Sequence, residues 1–381
     1  MRLLFVTQDF PPDVGGIQTY SWEVATRLAE RVEVLEVIAP HRPSTATTDR
    51  NAPIPIIRVP GRTDWLPVTA LFTIVRRAAR LRADVSVHAQ WQTAGIAVLA
   101  RRLTGYPRRI VCAAHGRELL FNPLAGLPGG RAAYDSLRRW SLAQPDALLP
   151  VSRYTARLLR DQGVPPSRLH VVPNGTNLDH FRPRGGTALR DRLGIGTRPM
   201  LLTVGRLVPR KGVDTMLRAL PPIAASVPEV QYVVAGTGPD RGRLEHLAVR
   251  WGVRDRVHFV GYVTDDALPS YYSAADLFVM PAREAPPDVE GFGLVFLEAN
   301  ACGTPAVGAR SGGIPDAIVE GETGLLVPSS DPASLASALS SLLRDPTRIT
   351  TLGRQGRAHT VRTANWSQVA ARIYEVLARE T

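Results

Sequence analysis

The chain has 381 residues, of which 44% are hydrophobic and 21% charged, and its formal net charge is +12. This composition is typical of a soluble globular protein, and the length favours two domains over one ordinary core. No apolar run approaches the roughly 20 residues that cross a bilayer, and the two cysteines, Cys112 and Cys302, give neither a disulfide framework nor metal-ligand spacing.

The N-terminal residues 1–10 contain too short an apolar stretch for a signal peptide and no small-residue cleavage site. They predict a first buried strand instead, and we expect a cytoplasmic protein.

In the first half, short apolar runs alternate with amphipathic stretches, which is the pattern of βαβ units around a parallel sheet. The predicted strands are Leu3–Thr7, Val32–Ala39, Ile56–Val59, Val85–Ala89, Ile110–Ala114 and Ala147–Val151. The predicted helices include Gln18–Ala29, Leu71–Leu81 and Arg131–Ala143.

The basic surplus lies in this half, since residues 1–183 hold 24 Arg against 14 acidic residues, whereas residues 184–381 hold 22 basic against 20 acidic residues. One predicted helix places apolar side chains on one face and arginines opposite or beside them: Val68, Leu71, Phe72, Val75 and Ala79 against Arg76, Arg77 and Arg80. Two interpretations stay open. The helix either lies on anionic lipid or packs on the sheet through that face, with the arginines simply solvated.

His115 follows the strand Ile110–Ala114 and precedes Gly116, so we expect its side chain at the mouth of a cleft. A lone histidine is more often a structural residue, but this position favours a ligand contact. Glu118 and Arg117 are weaker candidates for orienting His115 or for contacting an acceptor.

A turn-rich stretch from Pro173 to Gly186 is the best candidate for a domain boundary. We predict a first domain over residues 1–183 and a second over 184–363, with a C-terminal helix at about 364–381 that can pack back on the first.

The second half repeats the alternation of short apolar runs with amphipathic stretches, and the last fifty residues, from Pro332, are predicted to form helices. The predicted strands are Met200–Gly205, Gln231–Ala235, Val257–Val260, Leu277–Met280 and Pro305–Val307. The predicted fold class is therefore α/β, with two Rossmann-like, doubly wound domains facing each other across a cleft. Ligands of such sheets lie beyond the carboxyl ends of the strands, so the arrangement suits a large two-part substrate.

Lys211 is the single lysine of the chain, among 45 arginines. Lysine is a compact point charge where arginine is a flat fork, so its survival favours a site that the fork does not fit. Together with Arg206 it lies on a glycine-flanked turn after a strand, where α/β folds bind anions.

The segment from Glu290 to Pro305 carries the strongest motif. Gly291 and Gly293 permit a close backbone approach on either side of Phe292, and Leu294–Ala301 reads as a buried helix whose first amides would face a phosphate. Glu298 lies very roughly 10 Å from Glu290 by helix rise. This separation is too large for one proton-sharing pair but suits two carboxylates that hold hydroxyls at two ends of a ligand. The alternative, a helix-capping Glu290 and a solvated Glu298, is disfavoured because the helix is strongly apolar.

The segment Gly236-Thr237-Gly238-Pro239-Asp240 lacks the third glycine of a dinucleotide fingerprint. We read it as a close-packed turn that starts a helix.

Taken together, these motifs resemble the signature of the retaining GT-B glycosyltransferases of family four. The resemblance covers nearly the whole chain. It rests on Arg206 with Lys211, Glu290-Gly-Phe-Gly with Glu298, Pro11 to Gln18, His115 to Glu118, Val172 to Gly175 and Ala235 to Pro239.

The resemblance implies that the second domain binds a nucleotide-sugar donor. Arg206 and Lys211 would stabilise the leaving diphosphate, a task often left to a metal, and Glu290 would hold the sugar hydroxyls and Glu298 the ribose. Backbone around Gly261-Tyr262-Val263 would meet the base, and the donor-binding set would include Gly236, Val263, Gly291, Phe292, Gly293 and Leu294. From the first domain, Gly15 and Gly16 would approach the phosphates and His115 the transferred sugar. No protein nucleophile is implied, unlike in a retaining hydrolase.

The sequence thus predicts a retaining, metal-independent glycosyltransferase that uses no cofactor and forms an α-glycoside. Resemblance to phosphatidylinositol mannosyltransferases favours GDP-mannose as donor and a lipid-linked acceptor, such as phosphatidylinositol or a polyprenyl carrier, at the inner face of the membrane. The motifs themselves would equally serve UDP-glucose or UDP-N-acetylglucosamine with a soluble or polysaccharide acceptor, or a GT-B epimerase or phosphorylase. Nucleic-acid binding is disfavoured, because aromatic residues make up only 6% of the chain and interleave with no basic motif.

Overall fold

A computed structural model of the chain describes residues 1–60 and 66–379. It divides into two compact units: unit 1 comprises Met1–Asn174 and Trp366–Thr381, and unit 2 comprises Gly175–Asn365. The division after Asn174 precedes the predicted boundary at 183/184, and it assigns the C-terminal helix to unit 1. The last two residues of the predicted 364–381 segment lie outside the described residues.

Within the described residues, each unit contains one parallel sheet of six strands. The strands of unit 1 are β1 (Arg2–Val6), β2 (Val34–Pro40), β3 (Ile56–Val59), β4 (Val85–His88), β5 (Arg109–Ala114) and β6 (Ala147–Pro150). Those of unit 2 are β7 (Met200–Val204), β8 (Gln231–Ala235), β9 (Val257–Gly261), β10 (Leu277–Met280), β11 (Ala306–Ala309) and β12 (Gly324–Val327).

The two sheets have the same winding. Their orders are β3-β2-β1-β4-β5-β6 and β12-β11-β10-β7-β8-β9. Each is the doubly wound order in which the first and fourth strands of the unit lie side by side, so that the chain winds away from that point in both directions. This topology confirms the predicted fold class of two Rossmann-like domains. Strand β12 is the one that the sequence analysis missed, because its Gly-Leu-Leu-Val run is short and follows a turn.

Helices connect the strands and cover the sheets. Those of unit 1 are α1 (Gly16–Ala29), α2 (Thr45–Arg50), α3 (Leu66–Thr69), α4 (Leu71–Leu81), α5 (Trp91–Thr104), α6 (Arg117–Leu120), α7 (Gly130–Leu142) and α8 (Arg153–Asp161). Those of unit 2 are α9 (Thr187–Arg192), α10 (Val213–Ser226), α11 (Arg241–Arg250), α12 (Leu268–Ala274), α13 (Leu294–Ala301), α14 (Ile314–Ala317), α15 (Pro332–Leu343) and α16 (Pro346–Thr363). Helix α17 (Trp366–Ala378) returns to unit 1.

The strands are continuous apolar runs because helices cover both faces of a parallel sheet. Strand β7, for example, is buried at every residue from Met200 to Val204. In unit 1 the return of α17 buries Trp366, which lies edge-on to Tyr20 of α1. Helix α17 therefore completes the layer that α1 begins.

Helix α4 has the predicted bounds but a different buried face. It packs through Ile74 and Ala78, whereas Leu71 and Phe72 are 37% and 73% exposed and Val68 of α3 is 65% exposed. The interpretation that this helix packs on the sheet through the face of Val68, Leu71, Phe72, Val75 and Ala79 therefore holds only in part, because Val75 packs against the core of unit 1 while Val68, Leu71 and Phe72 are exposed. Contact with lipid stays a prediction.

Nowhere in residues 1–60 and 66–379 does a helix combine the length and the apolarity that a membrane span requires.

Candidate active site

The centre of the candidate site in unit 2 is a largely buried carboxylate, 13% exposed, that accepts hydrogen bonds from two cations. Lys211 Nζ lies 2.7 Å and Arg210 Nη1 2.5 Å from Glu290 Oε2. Lys211 follows strand β7 and Glu290 follows strand β10, and these two strands are neighbours at the point where the strand order reverses. Ligands of doubly wound sheets bind at this topological switch point.

Two glycines allow the turn that carries Lys211 to fold so tightly. Gly212 has a φ of 74°, and a Cβ on it would lie 2.0 Å from the carbonyl oxygen of Pro281. A side chain at this position would therefore be both strained and obstructed. At Gly205, where β7 has just ended, a Cβ would lie 3.6 Å from Lys211 Cε, so the lysine side chain runs alongside the glycine.

Burial and the neighbouring charges together determine the pKa values of Glu290 and Lys211. Burial works to raise the pKa of Glu290, but the neighbouring Lys211 and Arg210 cations outweigh it and hold that pKa below its ordinary value. Burial also lowers the pKa of Lys211, and Arg210 adds to the lowering while Glu290 opposes it. Two cations thus face one ionised carboxylate, and the cluster retains a net positive charge.

The backbone after Glu290 presents amide donors beside this cluster. Helix α13 spans Leu294–Ala301, as predicted, and begins after Gly293, whose φ is 96°. Among the described residues, the N–H groups of Leu294 and Val295 have no acceptor, as expected for a first helical turn. Phe292 is buried, while Gly291 and Leu294 are partly exposed.

Glu298 lies on the same helix, but its environment differs from that of Glu290. Tyr272 Oη donates to Glu298 Oε2 at 2.6 Å, and burial raises the pKa of Glu298 to about 7. The weak coulombic effect of Lys211 does not offset this burial. Near neutral pH, Glu298 is therefore poised between its protonated and ionised forms.

The other predicted residues of unit 2 cluster where β7, β8 and β9 end. A Cβ on Gly236 would lie 1.9 Å from the carbonyl oxygen of Gly205, and Gly236 N donates to the Gly261 carbonyl at 2.7 Å. Val263 lies two residues beyond and is half-buried. Arg206 is exposed, and its guanidinium has no hydrogen-bond or ion-pair partner within the described ranges.

The predicted residues of unit 1 lie at the carboxyl edge of its own sheet. His115 Nε2 lies 3.0 Å from the carbonyl oxygen of Ala89, so Nε2 carries the proton and Nδ1 remains an acceptor. Its ring meets Tyr20 edge-on, and its backbone N–H donates to Glu118 Oε1 at 2.6 Å. Burial lowers the pKa of His115, so the imidazole is neutral near pH 7.

Gly15 and Gly16 start helix α1. Gly15 is the N-cap residue, and Gly16 is exposed at the first helical position. A Cβ on Gly15 would meet only the flexible end of Gln18, at 2.5 Å. The structure thus brings Lys211, Glu290 and the α13 amides together in unit 2. Gly15, Gly16 and His115 lie in unit 1.

Sequence reasoning missed several polar residues at these edges. Arg210 was passed over in favour of Arg206, although it is adjacent to Lys211. Asp214 was also missed: it is 3% exposed and holds Arg283 at 2.8 and 3.2 Å, and the Arg283 N–H donates to the Arg210 carbonyl. A charged residue in the first turn of an apolar helix was the available signal for Asp214.

Asp9 was the third omission, in unit 1. It accepts from Gln90 Nε2 at 2.7 Å and from Gln18 Nε2 at 2.8 Å, and burial raises its pKa. Its position directly after an apolar strand was the signal for it. In the part of the chain that the structure describes, no group of three or more His, Cys, Asp or Glu side chains is arranged to hold a metal ion.

Known protein families and structures match both units. Residues 187–359 match the family described as Glycosyl transferases group 1, and residues 14–180 match Glycosyltransferase Family 4. The Mycolicibacterium smegmatis GDP-mannose-dependent alpha-(1-6)-phosphatidylinositol monomannoside mannosyltransferase is 35% identical, over 98% of each chain. The GDP-mannose-dependent monoacylated alpha-(1-6)-phosphatidylinositol monomannoside mannosyltransferase of Corynebacterium glutamicum is 33% identical, over 100% of this chain and 98% of its own.

A solved structure extends the likeness in fold. HepE of Anabaena, crystallised in complex with UDP, superimposes with a TM-score of 0.83 at 20% identity, covering 99% of this chain and 100% of HepE.

Proposed function

We propose that this chain, which belongs to the GT-B glycosyltransferases of family four, transfers a mannosyl group from GDP-mannose to a hydroxyl of a phosphatidylinositol-based glycolipid. The observation that carries the proposal is the similarity to mannosyltransferases that act on such lipids, because it extends over essentially the whole of both chains. Similarity of this extent includes the acceptor-binding half as well as the donor-binding half.

The cation cluster of unit 2 supports the donor part of the proposal. Lys211 and Arg206 would contact the diphosphate, together with the free amides at the start of α13, whose helix dipole favours an anion. Glu290 already uses Oε2 to hold Lys211 and Arg210, and its Oε1 makes no hydrogen bond to the described residues. That oxygen would accept from a hydroxyl of the transferred sugar.

We base the remaining proposed contacts on the resemblance to the family. Glu298 would accept from the ribose hydroxyls, and the backbone at Gly236 and at Gly261–Val263 would border the nucleoside. In unit 1, Gly15 and Gly16 would approach a phosphate, and His115 would offer Nδ1 to a hydroxyl of the transferred sugar. Its neutral, Nε2-protonated form suits that role, because the Ala89 carbonyl already occupies the N–H.

The proposed reaction retains the anomeric configuration and needs no metal. The bond from the anomeric carbon to the β-phosphate oxygen breaks, and a bond to the acceptor oxygen forms on the same face of the sugar. The acceptor proton passes to the departing phosphate oxygen. Fixed cations and amides stabilise the charge that develops on the diphosphate, which is the contribution a metal ion otherwise makes.

The test is a panel of nucleotide sugars read by thermal shift, followed by turnover with radiolabelled sugar. We expect GDP-mannose to raise Tm more than UDP-glucose or UDP-N-acetylglucosamine does. Label should enter a phosphatidylinositol-based lipid as an α-glycoside, in the presence of a chelator. Transfer from a UDP-sugar, a β-linked product or loss of activity with the chelator would each overturn the corresponding part of the proposal.

A further inference from the structure

Unit 1 contains an apolar cavity of about 600 Å³ that runs along helix α5. Its body is lined mainly by large apolar side chains of three helices, among them Leu71 of α4, Trp91, Ile96 and Leu99 of α5, and Leu137 and Trp140 of α7. Leu99, Leu137 and Trp140 are 41%, 52% and 44% exposed. Apolar side chains gathered around a cavity of this size mark a ligand-binding groove more often than plain surface.

One end of the cavity is polar. Gln8 and Gln92 line it there, and Gln92 Oε1 is buried with no hydrogen-bond donor. Gln8 immediately precedes Asp9 and Gln92 follows Gln90, so this end adjoins the hydrogen-bonded pair at the carboxyl edge of the sheet.

More buried acceptors without donors lie on that edge. Gln90 gives its Nε2 to Asp9, which leaves Gln90 Oε1 buried with no donor, and Glu118 Oε2 is in the same condition. Gln90 and Glu118 are 6% and 8% exposed. Buried acceptors of this kind destabilise a protein unless a donor reaches them. All of these atoms are acceptors, so the matching ligand is rich in hydroxyl donors.

The cavity also has a defined length. Gln92 and Arg102 both line it and lie ten residues apart on α5, which corresponds to about 15 Å. Arg102 is exposed, and its side chain has no partner among residues 1–60 and 66–379. The cavity is therefore a long apolar space with the buried acceptor Gln92 Oε1 at one end and an exposed cation at the other.

We propose that this cavity holds one acyl chain of the lipid acceptor, with the polyol head group at the end that Gln8 and Gln92 line. The inference rests on the proposed function and adds that unit 1 recognises the lipid chain itself as well as the head group. A linear hydrocarbon fits an apolar cavity of this length between helices, and a hydroxylated ring supplies the donor that Gln92 Oε1 lacks at its polar end. The same cavity would exclude a free sugar phosphate from tight binding, because nothing would cover its apolar body.

The first test measures binding of short-chain lysophosphatidylinositols that are monomeric in water and differ only in chain length. Each further methylene that enters the cavity should tighten binding about fourfold, since burial of one CH₂ contributes ~0.8 kcal/mol. The gain should stop when the chain fills the passage. Binding that is equal for every chain length would overturn the inference.

A matched pair of variants on α5 locates the chain. Leu99→Trp narrows the cavity, whereas Leu103→Trp changes an exposed leucine of the same helix that does not line it. Leu99→Trp should raise KM for the longest lipid at least tenfold, with kcat and the KM for the deacylated head group unchanged. Leu103→Trp should behave as the parent chain does. Equal effects of the two variants would contradict the assignment.

Two controls keep the results interpretable. Thermal unfolding of each variant checks that it is folded, and quenching of Trp91 and Trp140 fluorescence by a bromine-labelled acyl chain reports binding without turnover. If the lipid is mannosylated without any dependence on chain length, the inference fails while the proposed function stands. If chain-length-dependent binding occurs but no phosphatidylinositol lipid accepts mannose, the proposed function fails while the cavity assignment stands.

Discussion

The switch points of the two sheets have the same architecture and opposite chemistry. In each unit, a side chain that follows the first strand is hydrogen-bonded to a side chain that follows the fourth strand. In unit 1 this pair is Asp9 with Gln90, and in unit 2 it is Lys211 with Glu290. The winding of the chain therefore decides where polar side chains gather, and the loop residues decide what they can bind.

The two edges differ in whether hydrogen-bond donors or acceptors remain without a partner. At the edge in unit 2, Arg210 and Lys211 face one ionised carboxylate, and Arg206 adds a cation without a partner in the described ranges, so the surplus is of donors with positive charge. At the edge in unit 1, Gln90 Oε1, Glu118 Oε2 and His115 Nδ1 are acceptors without donors. A surplus of cationic donors suits a diphosphate, and a surplus of acceptors suits the hydroxyls of a sugar or cyclitol.

The largest expected effect comes from removing the cation at the switch point of unit 2. Lys211→Ala should lower kcat by about a thousandfold, because a buried charge aimed at the leaving diphosphate acts mainly in the transition state. Turnover of labelled GDP-mannose, with and without acceptor, measures it. Arg210 would still neutralise Glu290, so the variant should remain folded.

Arg198→Ala is a suitable control for that variant, since it removes a cation of unit 2 whose hydrogen bonds go to carbonyl groups of its own loop. Comparable losses in Lys211→Ala and Arg198→Ala, or full activity of the lysine variant, would contradict the role assigned to Lys211.

Much of the fold could be predicted from the sequence because parallel strands are continuous apolar runs. Eleven of the strands described here were predicted with bounds that differ by a few residues at most, and the helix from Leu294 to Ala301 matches in full. Strand β12 was missed because four residues between turns give too little periodic signal. Helix α4 shows a second limit, since its length could be predicted while its buried face depended on packing against α5.

The candidate site could be predicted less completely. Lys211 and Glu290 stand out in the sequence because one is the single lysine and the other begins a glycine-rich motif. Asp9, Gln90 and Asp214 do not, because their importance lies in hydrogen bonds to residues distant in sequence. The apolar cavity along α5 was not foreseen either, since its walls come from separate helices and resemble ordinary core residues in the sequence.

The second expected effect sharpens the comparison within unit 2, between its two carboxylates. The neighbouring cations hold the pKa of Glu290 down, whereas burial raises the pKa of Glu298 to about 7. If the ionised form of Glu298 holds the ribose, Glu298→Gln should weaken GDP-mannose binding about tenfold at about pH 8. At about pH 5 the difference should vanish, because Glu298 is then protonated as well. Titration calorimetry at several pH values measures it.

Glu298→Gln should stabilise the folded protein above pH 7, although it weakens donor binding there. The folded-state pKa of Glu298 lies above the ordinary value of 4.5, so the native chain binds more protons than the unfolded chain between about pH 4.5 and 7. This group's contribution to the free energy of unfolding therefore falls as pH rises through that window. Glu298→Gln should remove the slope and raise stability above pH 7 by roughly 1–2 kcal/mol. A pH-independent difference in Tm would contradict the assigned pKa.

The smallest expected effect tests the imidazole at the edge in unit 1. His115→Ala removes one uncharged acceptor, Nδ1, so kcat/KM should fall by about tenfold, far less than for Lys211→Ala. His41→Ala is the matched control, since His41 is an exposed histidine of the same unit. Binding of GDP alone should be unchanged, because Nδ1 is proposed to meet the sugar and not the nucleotide.

The pH dependence of that activity distinguishes a neutral acceptor from a charged donor. Burial holds the pKa of His115 below its ordinary value of 6.5, so the parent chain should show no loss of kcat/KM attributable to His115 as pH rises through about 6.5. If such a loss occurred and disappeared in His115→Ala, the imidazole would be acting as a cation. The edge in unit 1 would then contribute positive charge, as the edge in unit 2 does, and the contrast between the two sheets would fail at this residue.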